Sequence, residues 1–287
     1  MLLLKYITKG LVIRLVIILC VLIGFLSAFI GSLVGLGGGV ILVPAMLILY
    51  ENLSSFAWAN PQTIVGISLV TMVFTGLSST IAYYQQRKVD IKTGVTFLIG
   101  SIPGGIFGSW VNTQLDVANF SLYFGILMIF IFSLMLVDRN KLVKDKPIKI
   151  TKYTRTFELE GNTYQYNVPY IPAIFLAFVV GTLSGLFGIG GGTISVPAMM
   201  LFFGIPVQIA VATSMFMIFA VSIFSSSTHI FFGHIAWTYV IFFIIGSYLG
   251  GTFGAKTSKL LKGRTLEWIL RIVILIVAIR FIVQSIV

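Results

Sequence analysis

The sequence predicts an all-α polytopic membrane protein made of two inverted repeats, each with about five helical segments. Three observations carry this prediction. Only 9% of the 287 residues are charged and 58% are hydrophobic, so the chain cannot cover a water-facing surface. Uncharged runs such as Gly161 to Ala255 exceed the roughly 20 helical residues that cross a bilayer. Glycine-rich blocks in the first half also recur in the second half.

Charge and cysteine content exclude several classes of function. A net charge of +11 suggests nucleic acid in a soluble protein, but here the cations lie mostly in loops, as the positive-inside rule expects. We therefore expect no nucleic-acid partner. The single cysteine, Cys20, rules out an internal disulfide, a CxxC redox pair and a cysteine-rich metal site. We expect it to be a small buried hydrophobe, and we expect no metal, no cofactor and no enzymatic activity.

The repeats are most visible around two glycine triplets. Residues 35–46 and 188–199 share the pattern G-x-G-G-G-x-I-x-V-P-A-M. At a second spacing, 146 residues, the block 100–108 recurs as 246–254, Ser68 matches Ser214 and Tyr83 matches His229. A duplicated fold follows, with a first transmembrane repeat over 1–137, a linker over 138–168 and a second repeat over 169–287.

Apolar runs place the helices of both halves. Those of the first half are 12–34, 40–50, 61–84, 93–112 and 119–137, and those of the second are 170–187, 193–203, 206–232, 236–255 and 266–286. The runs 40–50 and 193–203 are too short for an upright crossing, so we expect half-helices or re-entrant arms. Each half then spans the membrane an odd number of times, which inverts the second half relative to the first.

The loop charges favour this inversion. The loop 84–92 carries three cations and its counterpart 230–238 none, whereas 256–265 carries four and its counterpart 113–118 only Asp116. The inverted arrangement places 84–92, 138–168 and 256–265 together in the cytoplasm. It also places Lys5, Lys9 and Arg14 outside, against the same rule.

The linker 138–168 is the one sizeable polar segment of the sequence. Partial alternation over 148–159, a turn at 160–162 and a second run over 163–168 predict a small β-hairpin. The hairpin is either a solvated connection between the repeats or a regulatory or partner-binding element.

The glycine triplets are the main candidate for chemistry. They lack the dinucleotide fingerprint, because Val40 and Thr193 occupy the last glycine position of G-x-G-x-x-G. A helix that begins directly after glycines offers unpaired N–H groups and the positive end of its dipole. Two such breaks facing each other would bind an anion. The alternative is that the glycines only allow tight helix crossing. The candidate substrate-binding glycines are Gly37, Gly38, Gly39, Gly190, Gly191 and Gly192.

Several polar side chains near the breaks are further candidates. The hydroxyls could bind substrate or bond a carbonyl one turn back; they belong to Thr193, Ser195, Ser68, Thr213 and Ser214. We expect Pro44 and Pro197 to kink the short helices or end their first turns. His229 is either a neutral buried histidine or a proton-coupling group.

Two other features have simpler interpretations. The small-residue ridges 100–108 and 246–254 predict close helix packing. In the last helix, Arg271 and Arg280 either pair, reach the membrane surface or serve function.

The paired G-x-G-G-G blocks, through Pro44 and Pro197, resemble those of the TauE/SafE or sulfite exporter family, and the resemblance extends from about Leu15 to Leu261. It implies a multi-pass protein of the cytoplasmic membrane that exports small sulfur oxyanions by alternating access. Such anions are sulfite, thiosulfate and organosulfonates such as sulfoacetate. The implied partners are this anion and the bilayer, with protons a candidate coupling ion and a homo-oligomer a candidate state. The alternatives are a passive anion channel and a membrane scaffold or signalling protein that acts through the 138–168 hairpin.

Overall fold

The computed structural model describes residues 2–115, 120–136, 150–159 and 161–261, together with a few helical residues between 264 and 279. Within these residues the chain is helical except for one two-stranded sheet. The expected segment 266–286, with Arg280, lies largely outside them.

In the part of the chain that the structure describes, nine α-helices and two strands follow in order, with a 3₁₀ helix at Ser54–Phe56 between the second and third α-helices. They are α1 (Leu2–Val34), α2 (Gly39–Asn52), α3 (Pro61–Gln85), α4 (Ile91–Asn112), α5 (Phe120–Leu136), β1 (Thr154–Leu159), β2 (Asn162–Asn167), α6 (Tyr170–Phe187), α7 (Gly192–Phe202), α8 (Val207–Phe231) and α9 (Trp237–Ser258). Six of them, namely α1, α3, α4, α6, α8 and α9, are long and apolar enough to cross a membrane. The all-α polytopic fold is therefore confirmed. The helices α2 and α7 have 14 and 11 residues, so both remain short, as expected.

Polar residues fix where two of the long helices begin. The side chain of Asn60 accepts a hydrogen bond from the N–H of Thr63, and Pro61 takes the first position of α3. Asp90 caps α4 in the same way through the N–H of Thr93. The prolines inside α2 and α7 do not end the first turn: Pro44 and Pro197 are each the sixth residue of a helix that continues beyond them.

The small-residue ridges bring helix backbones into direct contact. A Cβ atom on successive glycines of α4 would overlap successive carbonyl oxygens of α6, and the same holds for α9 against α1. The order of the contacts shows that each pair runs parallel. The glycines and their partners are Gly100 with Ile174, Gly104 with Phe178, Gly108 with Thr182, Gly246 with Val21, Gly250 with Phe25 and Gly254 with Phe29. The ridges are packing surfaces, as the sequence predicts.

The centre of the molecule is the contact between α3 and α8, which are largely buried. These helices run antiparallel, because Gly66 lies against His229 while Gly76 lies against Phe219. Adding 146 to the bounds of α3 and α4 gives the bounds of α8 and α9. Each of these four helices therefore has a sequence counterpart of equal length. Cys20 is fully buried among apolar side chains, as predicted.

Three polar segments gather on one face of the helix bundle, which we call the hairpin face. The amide of Gln86 donates to the carbonyl of Ala255 at 3.0 Å, which joins the α3–α4 loop to the end of α9. The hydroxyl of Tyr166 donates to Asp90 at 2.7 Å, which fixes the hairpin to the same loop. The strands pair from Thr154↔Asn167 to Leu159↔Asn162. The face at the other ends of α3 and α8 carries the 53–60 and 232–236 loops.

Candidate substrate site at the crossed glycine segments

The two glycine segments, 35–39 and 188–192, lie side by side in opposite directions. A Cβ atom on Gly39 would overlap the carbonyl oxygen of Gly188, and one on Gly192 would overlap the carbonyl oxygen of Gly35. Gly35 and Gly188 also have φ values of +80° and +64°. Only glycine fits this crossing, both for its backbone conformation and for its lack of a side chain.

Two candidate serines hold the crossing together. Ser68 on α3 donates to the carbonyl of Gly188 at 2.6 Å, and Ser214 on α8 donates to the carbonyl of Gly35 at 2.8 Å. Both serines are fully buried. The central helix of each half therefore holds the glycine segment of the other half.

The helices that follow the crossing begin with unpaired donors. Helix bonding in α2 starts with the N–H of Ile41, which donates to Gly38, and in α7 with that of Thr193, which donates to Gly190. Neither helix has a side-chain cap. Among the described residues we find no acceptor for the N–H groups of Gly38, Gly39, Val40, Gly190, Gly191 and Gly192. These groups stand at the positive ends of two helix dipoles.

The remaining candidate hydroxyls are occupied by backbone groups. Ser195 donates to the carbonyl of Gly191 at 2.6 Å, and Thr193 lies 3.2 Å from the carbonyls of Ile189 and Gly190. Thr213 lies apart from the glycines: its hydroxyl oxygen accepts the N–H of Asp90 at 3.0 Å, near the hairpin face. The backbone N–H groups are therefore the donors that remain for an anion.

One side of the crossing borders a narrow cleft of about 10 Å³, the space of about one water molecule, which we call the inner cleft. Its lining includes Gly191 and Ser195 at the start of α7, Ser101 on α4 and Gly181 on α6. Gly191 has an ordinary φ of −49°, and the nearest atom to an added Cβ is 3.3 Å away.

The equivalent position in the first half is closed. Gly38 has a φ of +96°, and a Cβ on it would lie 2.9 Å from the carbonyl oxygen of Ser27 on α1. The two glycine segments thus share a backbone contact but differ in their access to free space.

His229 is fully buried near the end of α8, where it faces the backbone of Gly185. Its Nδ1 lies 3.3 Å from Nδ1 of His234, so one ring donates to the other. Its Nε2 has no hydrogen-bond partner among the described residues. His234 is outside the membrane-spanning helices, and partial burial lowers the pKa of its imidazole.

Three side chains of this region, His234, Met72 and Ile218, are not among the residues predicted from the sequence. His234 has no counterpart histidine in the first half, so the repeat gives no signal for it. Met72 and Ile218 pack against the glycine segments, at Gly190 and Gly37 respectively. They are 146 residues apart, so the repeat spacing could have identified them. In the last segment, the guanidinium of Arg271 lies over the Trp268 ring, 5.4 Å from its centroid.

Comparison with known proteins gives one consistent family. The model of the "Sulfite exporter TauE/SafE" family matches residues 20–281. The chain is 42% identical to "Probable membrane transporter protein YunE" of Bacillus subtilis, over 94% of this chain and 98% of that protein. It is 25% identical to YdhB of the same organism, over 86% and 91% of the two chains.

A plant relative is matched over a shorter stretch. "Sulfite exporter TauE/SafE family protein 6" of Arabidopsis thaliana is 28% identical over 44% of this chain and 28% of its own length. No solved structure matches the chain.

Proposed function

Since the chain belongs to the TauE/SafE sulfite exporter family and is a membrane transporter of that type, we propose that it exports small sulfur-containing oxyanions across the cytoplasmic membrane. Candidate substrates are sulfite, thiosulfate and organosulfonates such as sulfoacetate. One observation carries the proposal beyond the family: two helix starts with unpaired N–H groups meet at the crossed glycine segments.

The substrate binds at this crossing, on the inner-cleft side, and the inner cleft widens from its present volume of about 10 Å³ to admit it. Backbone N–H groups at a helix start bind oxyanions well, because several donors converge and the dipole favours negative charge. The hydroxyls of Ser68, Ser214, Ser195 and Thr193 act mainly by holding the glycine segments, since each is already bonded to a carbonyl there, whereas Thr213 lies apart. No further anion donor is required from a charged side chain.

Transport follows from inverted repeats and alternating access. Two observations support this step. The sequence counterparts α3 and α8 run antiparallel, and the equivalent glycines differ, with Gly191 beside a cleft and Gly38 packed against α1. In the opposite state these two environments exchange, so that the cleft lies beside Gly38. The hairpin face, which carries most of the loop cations, is cytoplasmic.

Protons are the coupling ion, and the His229–His234 pair transfers them. The pair joins a loop outside the membrane to a fully buried imidazole. If the pair couples transport, His229→Ala abolishes the pH dependence of flux. An unchanged pH dependence in this variant would remove His229 from that role.

The decisive experiment is tracer counterflow in proteoliposomes. Vesicles loaded with sulfite, thiosulfate, sulfoacetate, sulfate or acetate are tested for exchange against labelled sulfite. Saturable exchange driven by the sulfur anions and not by acetate supports the proposal. Currents without counterflow would indicate a passive channel. No flux of any of these anions from folded protein would overturn the proposal and favour a scaffold or signalling role for the hairpin.

A matched pair of variants then locates the site. Gly191→Ala adds a methyl group beside the unpaired N–H groups, at a position with an ordinary backbone conformation where the Val180 side chain, 3.3 Å away, has to shift by a few tenths of an ångström. We expect it to raise the KM for sulfite without loss of folded protein. Ser195→Ala removes a hydroxyl that is already bonded to Gly191, so we expect a smaller change in KM. The reverse ranking would make Ser195, and not the backbone, the main ligand.

A further inference from the structure

The β-hairpin and the starts of α4 and α6 enclose a solvent-accessible cleft of about 280 Å³, which we call the hairpin cleft. Among the described residues, the charged side chains in its lining are those of Asp90, Lys92, Lys152 and Arg155, and Tyr170 forms part of the wall. Three cations therefore face one carboxylate. The hairpin cleft is separate from the inner cleft, with which it shares no lining residue.

The single carboxylate is already fully engaged. Asp90 accepts hydrogen bonds from the N–H of Thr93 at 3.1 Å, from the Thr93 hydroxyl and from the Tyr166 hydroxyl at 2.7 Å. Its role is to cap α4 and to anchor the hairpin. It does not form an ion pair with Arg155, whose guanidinium donates to Thr96 instead.

Arg155 keeps a free donor group. Its Nη2 donates to the hydroxyl of Thr96 at 2.9 Å, whereas its Nη1 is buried without a partner among the described residues. A guanidinium nitrogen in this position is an unsatisfied, positively charged donor. Lys152 lies with its Nζ 5.1 Å from the centroid of the Tyr153 ring, which leaves its ammonium hydrogens available to a ligand.

The start of α6, which has no side-chain cap, adds the positive end of a helix dipole to the cleft. Because α4 and α6 run parallel, both helices start at the hairpin face. Lys92 is the second residue of α4 and Tyr170 is the first residue of α6, and both line the hairpin cleft. The cleft therefore has three cations, one of which, Arg155, has an unpaired guanidinium nitrogen, and it includes the uncapped start of α6, whereas Asp90 caps the start of α4. This combination suits an oxyanion.

The same two helices lead to the inner cleft. Ser101 of α4 and Gly181 of α6 line it, and Ser101 is nine residues beyond Lys92. Nine helical residues correspond to about 14 Å. An anion in the hairpin cleft would thus lie about two and a half turns from the crossed glycine segments, along a shared helix pair.

We propose that the hairpin cleft binds an oxyanion group through Arg155, Lys92 and Lys152 and serves as the loading site for the transported anion. The loading role rests on the proposed function, whereas oxyanion binding does not. The same chemistry is offered by a free anion and by the phosphate of an anionic lipid headgroup, so the experiment separates these two sources.

The first experiment measures binding without transport. Wild-type protein in nanodiscs of neutral phosphatidylcholine is treated with a lysine-acylating reagent, and the modification of each lysine is followed by mass spectrometry. Thiosulfate is expected to slow the modification of Lys92 and Lys152 but not of Lys259, an exposed lysine at the end of α9. Phosphatidylglycerol replaces thiosulfate in a second arm. Protection by the lipid alone would assign the cleft to a headgroup and overturn the loading role. Protection by neither would overturn the site.

The second experiment measures uptake from the hairpin face at low ionic strength. Arg155→Gln is expected to raise the KM for thiosulfate about tenfold, the usual effect of losing one charge-assisted hydrogen bond, with little change in maximal rate. Lys259→Gln removes the same charge from the same face and is the matched control. Arg155→Lys, which keeps the charge, is expected to recover part of the loss and excludes misfolding as the cause.

The outcomes separate the two proposals. Equal KM values for Arg155→Gln and Lys259→Gln would overturn the loading role while transport itself stands. Absence of flux in the wild type would overturn the proposed function, and the lysine-protection result would still decide whether the hairpin cleft binds an oxyanion.

Discussion

Two helix junctions occupy equivalent positions in the two repeats, but their buried polar groups differ: those of the first junction are hydrogen-bonded to one another, and several of those of the second have no partner among the described residues. The first junction lies between α1, α3 and α9 around Ser32. There Ser32 donates to the carbonyl of Gly251 at 2.8 Å, Ser79 donates to Ser32 at 2.7 Å and Tyr83 donates to the Ser32 carbonyl at 2.8 Å. Every hydroxyl of this group is buried and paired.

The second junction lies between α6, α8 and α4 around Gly185, which takes the place of Ser32. Ser225 and His229 replace Ser79 and Tyr83, and the Ser225 hydroxyl and the His229 Nε2 have no partner among the described residues. The same is true of two buried atoms on α4, the Ser109 hydroxyl and the Asn112 amide oxygen.

This difference indicates that the first junction is held in one conformation by its hydrogen bonds, whereas the second junction is suited to a change of conformation. Unpaired buried polar groups are costly, and a fold retains them where a ligand, water or another conformation satisfies them. The second junction also lies one helical turn beyond the inner cleft. The cleft is lined by Ser101, Gly181 and Val221. The junction residues on the same three helices, Gly105, Gly185 and Ser225, each follow four positions later. The polar asymmetry therefore coincides with the asymmetry of the glycine segments.

The largest expected effect comes from exchanging the central residues of the two junctions. Gly185→Ser places a Cβ atom on the carbonyl oxygen of Gly105, which forces α4 and α6 apart. We expect a loss of about 3 kcal/mol or more, at the upper end for overpacking, and little folded protein. The reverse exchange, Ser32→Gly, removes one of the two acceptors of Ser79 and leaves it the Gly251 carbonyl at 3.2 Å, so it should cost about 1–2 kcal/mol. Fluorescence-detected thermal unfolding in detergent measures both. Equal losses of stability in Gly185→Ser and Ser32→Gly would mean that the close contact between Gly185 and the Gly105 backbone does not distinguish the second junction from the first.

A smaller but sharper effect is expected from one substitution made at both equivalent serines. Ser79→Ala removes a hydroxyl that donates to Ser32, so it should lower stability by about 1 kcal/mol. Ser225→Ala removes a hydroxyl without a described partner, so its effect should lie within about 0.5 kcal/mol of zero. The two melting temperatures provide the test. A larger loss at Ser225 would show that its hydroxyl is bonded to something that stabilises the fold.

Much of the fold could be predicted because helix length and hydrophobicity are properties of the local sequence. The predicted run 170–187 has the same bounds as α6, and each short helix begins one residue before its predicted start. The junctions could not be predicted, since they depend on which helices meet. The ridges 100–108 and 246–254 predict close packing, but nothing in them names α6 and α1 as their partners. Without those partners, Ser225 and Ser79 look alike in the sequence.

The candidate site shows the same limit. The glycine triplets predict where two helices start and are compatible with close contact between these starts. The carbonyl groups that accept hydrogen bonds from Ser68 and Ser214, however, belong to the opposite half of the chain. Spacing within one half cannot reveal such partners. Thr213 is a related case: it neighbours Ser214 in sequence, yet its hydroxyl faces Asp90 because successive helical residues point in different directions.

The smallest expected effect is a pH dependence of stability confined to the second junction. Burial lowers the pKa of His234 in the folded protein, so the fold favours its neutral form. As the pH falls below the ordinary histidine value of about 6.5, the unfolded chain takes up a proton more readily than the folded one. Stability should therefore decrease from that pH down to the lower folded pKa and then level off.

His234→Asn should remove part of this decrease, which melting temperatures between pH 8 and pH 5 would detect. His229 is the titratable group in contact with His234, so the double variant His229→Gln/His234→Asn bounds the contribution of the pair. At the equivalent positions the first junction has Tyr83 and Lys88 in place of the two histidines, and histidine is the side-chain type that changes charge between pH 5 and pH 8. Tyr83→Phe should accordingly lower stability by the same amount at every pH in this range. If the pH dependence of stability remained in the double variant and disappeared in Tyr83→Phe, the titrating group would lie at the first junction and not at the second.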